Sequence, residues 1–251
     1  MEESTLFWWI WTIFGLTGLL VVPILFVIPA PYGKFTREGW GLALRSDLSW
    51  FIQESPSFYV FLITAIYSPI RDTTTLILGL LFLIHYLNRV FFYPLQMRGK
   101  AKTTVLTVVI SSLFFTVTNG YLQARGLFKF DPTTNSIDSI SFWVGVVVWE
   151  FGFIMNLQSD QILRDLRKPG DIGYKIPYGG LFGYVSAANY FSETIEHLGW
   201  AIACGNKTAW IFVMWTIANL GPRAMSQHKY YLQNFKEYAR LNRKAYIPFI
   251  F

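Results

Sequence analysis

Glu54 stands in the stretch FIQESPSF, residues 51–58, within a run that otherwise reads as membrane. A carboxylate near the bilayer centre costs at least ~2.5–3.5 kcal/mol on insertion scales, so an acid at that depth is a functional candidate. A bland alternative makes it an interfacial group near a helix end, with Pro56 opening the next helix. In IHYLNRVFFYPL, residues 84–95, His85, Asn88 and Arg89 share one helix face, and Tyr86 lies on the adjacent one. Arg89 is expected to snorkel to the interface and Tyr86 to sit in the aromatic belt, which leaves His85, a turn deeper, unexplained. In AANYFSETIEHLGW, residues 187–200, the residues Asn189, Glu193, Glu196 and His197 form a single helical stripe. Two acids, an amide and an imidazole on one face should line a polar cavity rather than meet lipid. Arg164, Arg167 and Lys168 cluster in the loop that follows the fifth apolar run, and clustered guanidinium groups suit phosphate. Arg223, His228, Lys229 and Tyr231 add to the same side.

The elements that must position these groups are membrane helices. Hydrophobic residues are 53% of the chain and charged ones only 14%, against about 25% in a soluble domain. Segments of roughly 20 apolar residues are needed to span. Seven candidates meet or approach that length: 6–28, 50–68, 75–95, 103–122, 140–157, 181–204 and 208–220. The first follows Glu2 and Glu3 rather than a basic stretch and is expected to be a retained helix, not a signal peptide. With the N-terminus outside, only Arg71, Arg125, Lys129 and Lys207 fall on the outer side, leaving seventeen of the 21 Lys and Arg inside. The expectation is therefore an all-α, integral membrane, seven-helix bundle, N-terminus outside and C-terminus cytoplasmic, forming one domain over residues 1–251. The rule also accounts for the net charge of +6, so nucleic acid is not needed as a partner. The single cysteine, Cys204, excludes an internal disulfide and multi-cysteine zinc sites. Walker, HExxH and nucleophile-elbow patterns are absent. From pattern alone, a transporter or receptor for a phosphate-bearing ligand serves as well as an enzyme.

The block NLQSDQILRDLRKPGDIGYKIPYGGLFGYVSAANYFSETIEHLGWA, from residue 156, resembles the steroid 5-alpha-reductase family. So do PYGKFT from residue 31, WFIQESPSF from 50, HYLNRVFFYPL from 85 and the ending RKAYIPFIF. The resemblance implies a seven-helix membrane enzyme that uses NADPH to reduce the C4–C5 double bond of a 3-keto-4-ene steroid. It implies that Glu54 and Tyr86 hydrogen-bond the steroid ketone, with Gln53 orienting the pair. Cofactor contacts are implied for Asn156, Asp160, Arg164, Arg167, Tyr174, Asn189, Glu193, Arg223, His228 and Tyr231, and a lid-side contact for Tyr32. No metal is implied. Gln158 and Ser226–Gln227 depart from animal relatives, which carry histidines there.

On this reading Glu54 is expected to be uncharged. Burial in an apolar pocket favours the neutral acid, which can donate to an oxygen that becomes anionic as hydride arrives. Neutrality also lowers the insertion cost. The substrate, a steroid or related enone lipid, would enter from the membrane lipids, and NADPH from the cytoplasm. The membrane would be endoplasmic reticulum or a bacterial inner membrane, and a monomer suffices. The rivals are a membrane methyltransferase using S-adenosylmethionine and a non-catalytic lipid-binding or transport protein.

Overall fold

A computed structural model describes residues 2–28, 35, 41–69, 72–97, 103–167 and 173–251. Among them are seven long helices: α1 (Glu3–Val27), α2 (Ser46–Ile66), α3 (Thr73–Gln96), α4 (Leu106–Phe130), α5 (Ile140–Asp165), α6 (Ala188–Cys204) and α7 (Lys207–Asn234). Helices α1, α3, α4 and α5 are long and apolar enough to cross a membrane. Large apolar side chains on α1, including Trp9, Ile13, Leu16 and Leu20, remain exposed, as a lipid-facing helix requires. The bundle is not purely helical. Strands β1 (Ala43–Arg45) and β2 (Thr103–Val105) pair antiparallel and tie the start of α2 to the start of α4.

Contacts along the helices fix their directions. Ser57 of α2 donates to the Thr116 carbonyl of α4 at 3.3 Å, while Ser46 meets Thr104 near the other end, so α2 and α4 run parallel. Gly145, Gly152 and Gly199 place α5 against α6 antiparallel and backbone to backbone. A Cβ on Gly152 would overlap the Glu196 nitrogen, and one on Gly199 the Trp149 nitrogen. Trp200 Nε1 of α6 donates to the Leu78 carbonyl of α3 at 2.9 Å. Trp215 of α7 stacks on Phe14 of α1 and donates to its carbonyl at 2.7 Å. Ser186, just ahead of α6, meets His228 of α7, so the end of α5, the start of α6 and the later part of α7, with Arg164 and His228, lie at one end, the basic end of the bundle.

Several boundaries differ from the sequence-based spans. Helix α2 starts at Ser46 rather than 50 and runs through Pro56, as the 50–68 span has it and the helix-end alternative does not. The Ile52 carbonyl, which a proline four residues on cannot bond, accepts from Ser55 Oγ at 3.3 Å. Helix α6 begins at Ala188 rather than 181, because Gly179 and Gly180 take φ of 93° and 49° and lead into a 3-10 turn. Helix α7 continues past Pro222 to Asn234 instead of ending near 220.

Helix α3 contains a π turn at Asn88–Phe92, closed by Tyr93 N–H to the Asn88 carbonyl. In that register the Arg89 carbonyl would meet the nitrogen of residue 94, which is proline and has no hydrogen. Trp50 Nε1 donates to that carbonyl instead, at 3.1 Å.

Candidate active site

The polar residues of α2 to α7 meet in two connected parts. The first is a buried charged layer. Arg89 is 7% exposed and points inward. Its guanidinium lies 3.3 Å from Asp160 Oδ2 of α5 and 3.8 Å from Glu193 Oε2 of α6. Trp50 and Tyr93 bracket it, each ring centre 4.6 Å from Cζ. The expectation that Arg89 snorkels to the interface is overturned: the π turn aims it at two carboxylates, a better partner than headgroup water. One turn deeper, His85 Nδ1 meets Glu196 Oε1 at 2.7 Å. Glu196 is fully buried, and its Oε2 has no partner among the described residues. His85 and His197 rings lie 4.7 Å apart, and His197 packs on Phe212 of α7 at 4.2 Å.

The stripe of α6 therefore divides. Glu196 and His197 are consumed in helix packing, while Asn189 and Glu193, nearer the basic end, stay partly open. Asn189 Oδ1 is a buried acceptor with no partner among the described residues. Its carbonyl accepts from Asn156 Nδ2 at 2.8 Å, so Asn156 straps α5 to α6 beside the site.

The second part surrounds Tyr86. Its ring is buried against Phe82 and His85, 4.7 and 4.8 Å away. Asn119 Nδ2 of α4 donates to the phenol oxygen at 3.4 Å. Gln123, one turn on, orients that amide: its Nε2 donates to Asn119 Oδ1 at 3.0 Å and to the Thr208 carbonyl at 2.9 Å. Asp131 holds Thr208 through both its backbone and hydroxyl hydrogens at 2.8 Å. Glu54 and Glu193 interact electrostatically with Tyr86. Glu54 itself, half-buried, interacts in the same way with Arg89, Glu193, His85 and Arg223. Gln53 turns back to its own helix, Nε2 donating to the Ser49 carbonyl at 3.0 Å.

The remaining candidates gather at the basic end. Arg164 bonds Gln161 Oε1 at 2.8 and 3.2 Å. Arg167 lies over the Tyr174 ring at 5.8 Å, and Tyr174 meets Tyr230 edge-on at 5.8 Å. Burial pushes the Tyr174 phenol above its ordinary pKa, opposed by the Arg167 charge, so the group is neutral at physiological pH. His228 Nδ1 lies 2.6 Å from Ser186 Oγ, and Tyr231 stacks on Tyr238 at 4.9 Å. Arg223 is partly exposed on α7, within range of Glu54. Tyr32 lies outside the described residues.

Glu54 thus interacts electrostatically with Tyr86, Glu193 and Arg223, while Arg167, Tyr174, His228 and Tyr231 lie together toward the ends of α5 and α7. Residue-by-residue reading passed over Asn119 and Gln123. Their signal was two amides four residues apart in a spanning helix, which need each other in the absence of water. Among the described residues no group of three or more His, Cys, Asp or Glu could hold a metal ion. The arrangement sets a buried hydroxyl and an acid near an unpartnered amide oxygen, with guanidinium groups toward the ends of α5 and α7.

Comparison with known proteins gives one direction. Residues 102–251 match the family model described as 3-oxo-5-alpha-steroid 4-dehydrogenase. The chain is 38% identical over 228 residues to 3-oxo-5-alpha-steroid 4-dehydrogenase 1 of Rattus norvegicus, covering 89% of this chain and 87% of the relative. It is 37% identical over 233 residues to steroid 5-alpha-reductase DET2 of Gossypium hirsutum, with 90% of both chains covered. It is 40% identical over 229 residues to 3-oxo-5-alpha-steroid 4-dehydrogenase 2 of Macaca fascicularis, with 89% of both covered.

Proposed function

The chain belongs to the 3-oxo-5-alpha-steroid 4-dehydrogenase family, and from that membership we propose that it reduces the C4–C5 double bond of a 3-keto-4-ene steroid with NADPH. The observation that carries the reading is Tyr86, buried in the membrane bundle, interacting electrostatically with Glu54, its oxygen accepting from Asn119. Because Asn119 supplies the donor, the phenol hydrogen is left to be given away. Its nearest competitor is the Ser57 hydroxyl, which already donates to the Thr116 carbonyl. A ketone oxygen gaining negative charge is a much stronger acceptor than a hydroxyl.

Bound NADPH would supply the hydride, to the carbon beta to the ketone. The chain's own part is to stabilise the charge that then reaches the ketone oxygen. Tyr86 donates to that oxygen, and Glu54 donates in its protonated form, a pattern established for enolate-like intermediates. Asn189 Oδ1, an acceptor in want of a hydrogen, suits the nicotinamide carboxamide, with Glu193 beside it. Arg167 and Arg223 suit the 2′-phosphate. Tyr174, Tyr231, His228 and Arg164 line the way in, Asn156 holds Asn189, and Asp160 acts through Arg89. Tyr32 keeps the lid-side role its motif suggests. The steroid enters from the bilayer and the dinucleotide from the cytoplasm, which places the basic end of the bundle on the cytoplasmic side.

The test is NADPH oxidation by the detergent-solubilised protein with a 3-keto-4-ene steroid, and product identification by mass spectrometry. Glu54→Leu, which removes the donor that a glutamine would keep, should lower turnover by about 10²–10³ with NADPH affinity unchanged. Near-normal turnover in that variant removes the acid role. No turnover across a panel of enone lipids removes the reductase.

A further inference from the structure

The segment that follows α7 packs back across the basic ends of α6 and α7, and one buried serine gathers it to them. Ser186 is fully buried. Its Oγ lies 2.6 Å from His228 Nδ1, 2.6 Å from the Tyr238 hydroxyl and 3.1 Å from the Lys244 carbonyl oxygen. Its backbone N–H donates to the same Lys244 carbonyl at 2.9 Å, and its own carbonyl accepts from Gln227 Nε2 at 3.2 Å. The surroundings are fixed as well. Tyr238 stacks on Tyr231, and the Arg243 guanidinium lies 5.6 Å from the Tyr238 ring while donating to the Pro177 carbonyl at 2.7 Å.

A hydroxyl has one hydrogen and two lone pairs. A carbonyl only accepts, so the Ser186 hydrogen belongs to Lys244. The two lone pairs must then be met by hydrogens from Tyr238 and from His228. Giving the serine hydrogen to His228 instead would set Oγ against the Lys244 oxygen with nothing between them. Giving it to Tyr238 would do the same, and one assignment alone makes all three contacts hydrogen bonds.

We propose that Ser186, whose own hydrogen goes to the Lys244 carbonyl, holds the hydrogen of His228 on Nδ1, so that the neutral ring presents Nε2 as a hydrogen-bond acceptor to a ligand at the basic end of the bundle. The chemistry recognised is a hydroxyl or amino hydrogen of a nucleoside, not a bare phosphate oxygen, which would face a lone pair. Ser186 is a positioning residue that acts through His228. The ligand's name rests on the NADPH reading above, while the position of the hydrogen does not.

The test is direct because the chain has three histidines, His85, His197 and His228. Ring nitrogen resonances of histidine-labelled protein in detergent separate protonated from unprotonated nitrogens, and His228→Gln identifies the His228 pair by its loss. At neutral pH the wild type should show a protonated Nδ1 and an unprotonated Nε2. Ser186→Ala should move both toward a mixture and raise the NADPH dissociation constant about three- to tenfold, the worth of one hydrogen bond. Tyr238→Phe leaves Ser186 able to accept from His228 and should leave the ring as in the wild type. A hydrogen on Nε2 in the wild type overturns the proposal and needs no variant to fold. Resonances unchanged in Ser186→Ala overturn it too. Protein that shows the Nδ1 hydrogen but binds no NADPH would remove the cofactor reading and leave the ring assignment standing.

Discussion

Arg89 offers the sharpest quantitative test of the site's charged layer. Its guanidinium is 3.3 Å from Asp160, with exposures of 7% and 3% for the two residues. At that separation two unit charges attract by about 5 kcal/mol with an effective dielectric of 20. Much of this only offsets desolvation, but removing one partner strands the other, at about 3–5 kcal/mol. Arg89→Met also gives up two cation–π contacts, with Trp50 and Tyr93. Its apparent melting temperature in detergent should fall by about 6–20 °C, taking 2–4 °C per kcal/mol for a chain of this size. Asp160→Asn alone should cost less, because Glu193 remains for the arginine. The double variant should be more stable than the sum of the two losses predicts, by about 2–3 kcal/mol, since neither charge is then left alone. Melting at one fixed scan rate measures all four proteins. Additivity within about 0.5 kcal/mol would mean that the two side chains do not sense each other, and the inward-pointing arginine would be refuted.

Arg167→Ala and Arg223→Ala should each reduce the preference for NADPH over NADH by about tenfold or more, measured as the ratio of the two dissociation constants; an unchanged ratio removes the 2′-phosphate assignment. Gly199→Ala sets a methyl against the Trp149 backbone and should cost about 1–3 kcal/mol in the same melts, whereas Gly183→Ala, which meets nothing within 4 Å, should be near neutral in packing.

The spans and the deep polar residues were readable because lipid allows so few solutions for a buried polar group. The seven helices, the odd depth of His85 and the stripe of α6 all followed from spacing. What could not be read was partnership across the chain. His85 and Glu196 are 111 residues apart, and nothing local says that two members of the stripe are spent on packing. Pro56 left a helix start open as an alternative, because the sequence does not reveal when a neighbouring hydroxyl makes a break unnecessary. Arg89 misled for a related reason. Its place near a helix end suggested water, while the π turn redirected it.

That turn carries one residue more than a plain helix would. Each residue of an α-helix advances the side chains by about 100°. Deleting one position between 90 and 92 would let the Tyr93 N–H close on the Asn88 carbonyl as an ordinary α-helical bond and keep the flanks in phase, while turning the residues inside the turn. Arg89, at the start of that turn, would be re-aimed relative to Asp160 and Glu193. Length in this stretch is as much a part of the candidate site as composition, and a one-residue deletion there should loosen the arginine's two ion pairs while leaving the helix whole.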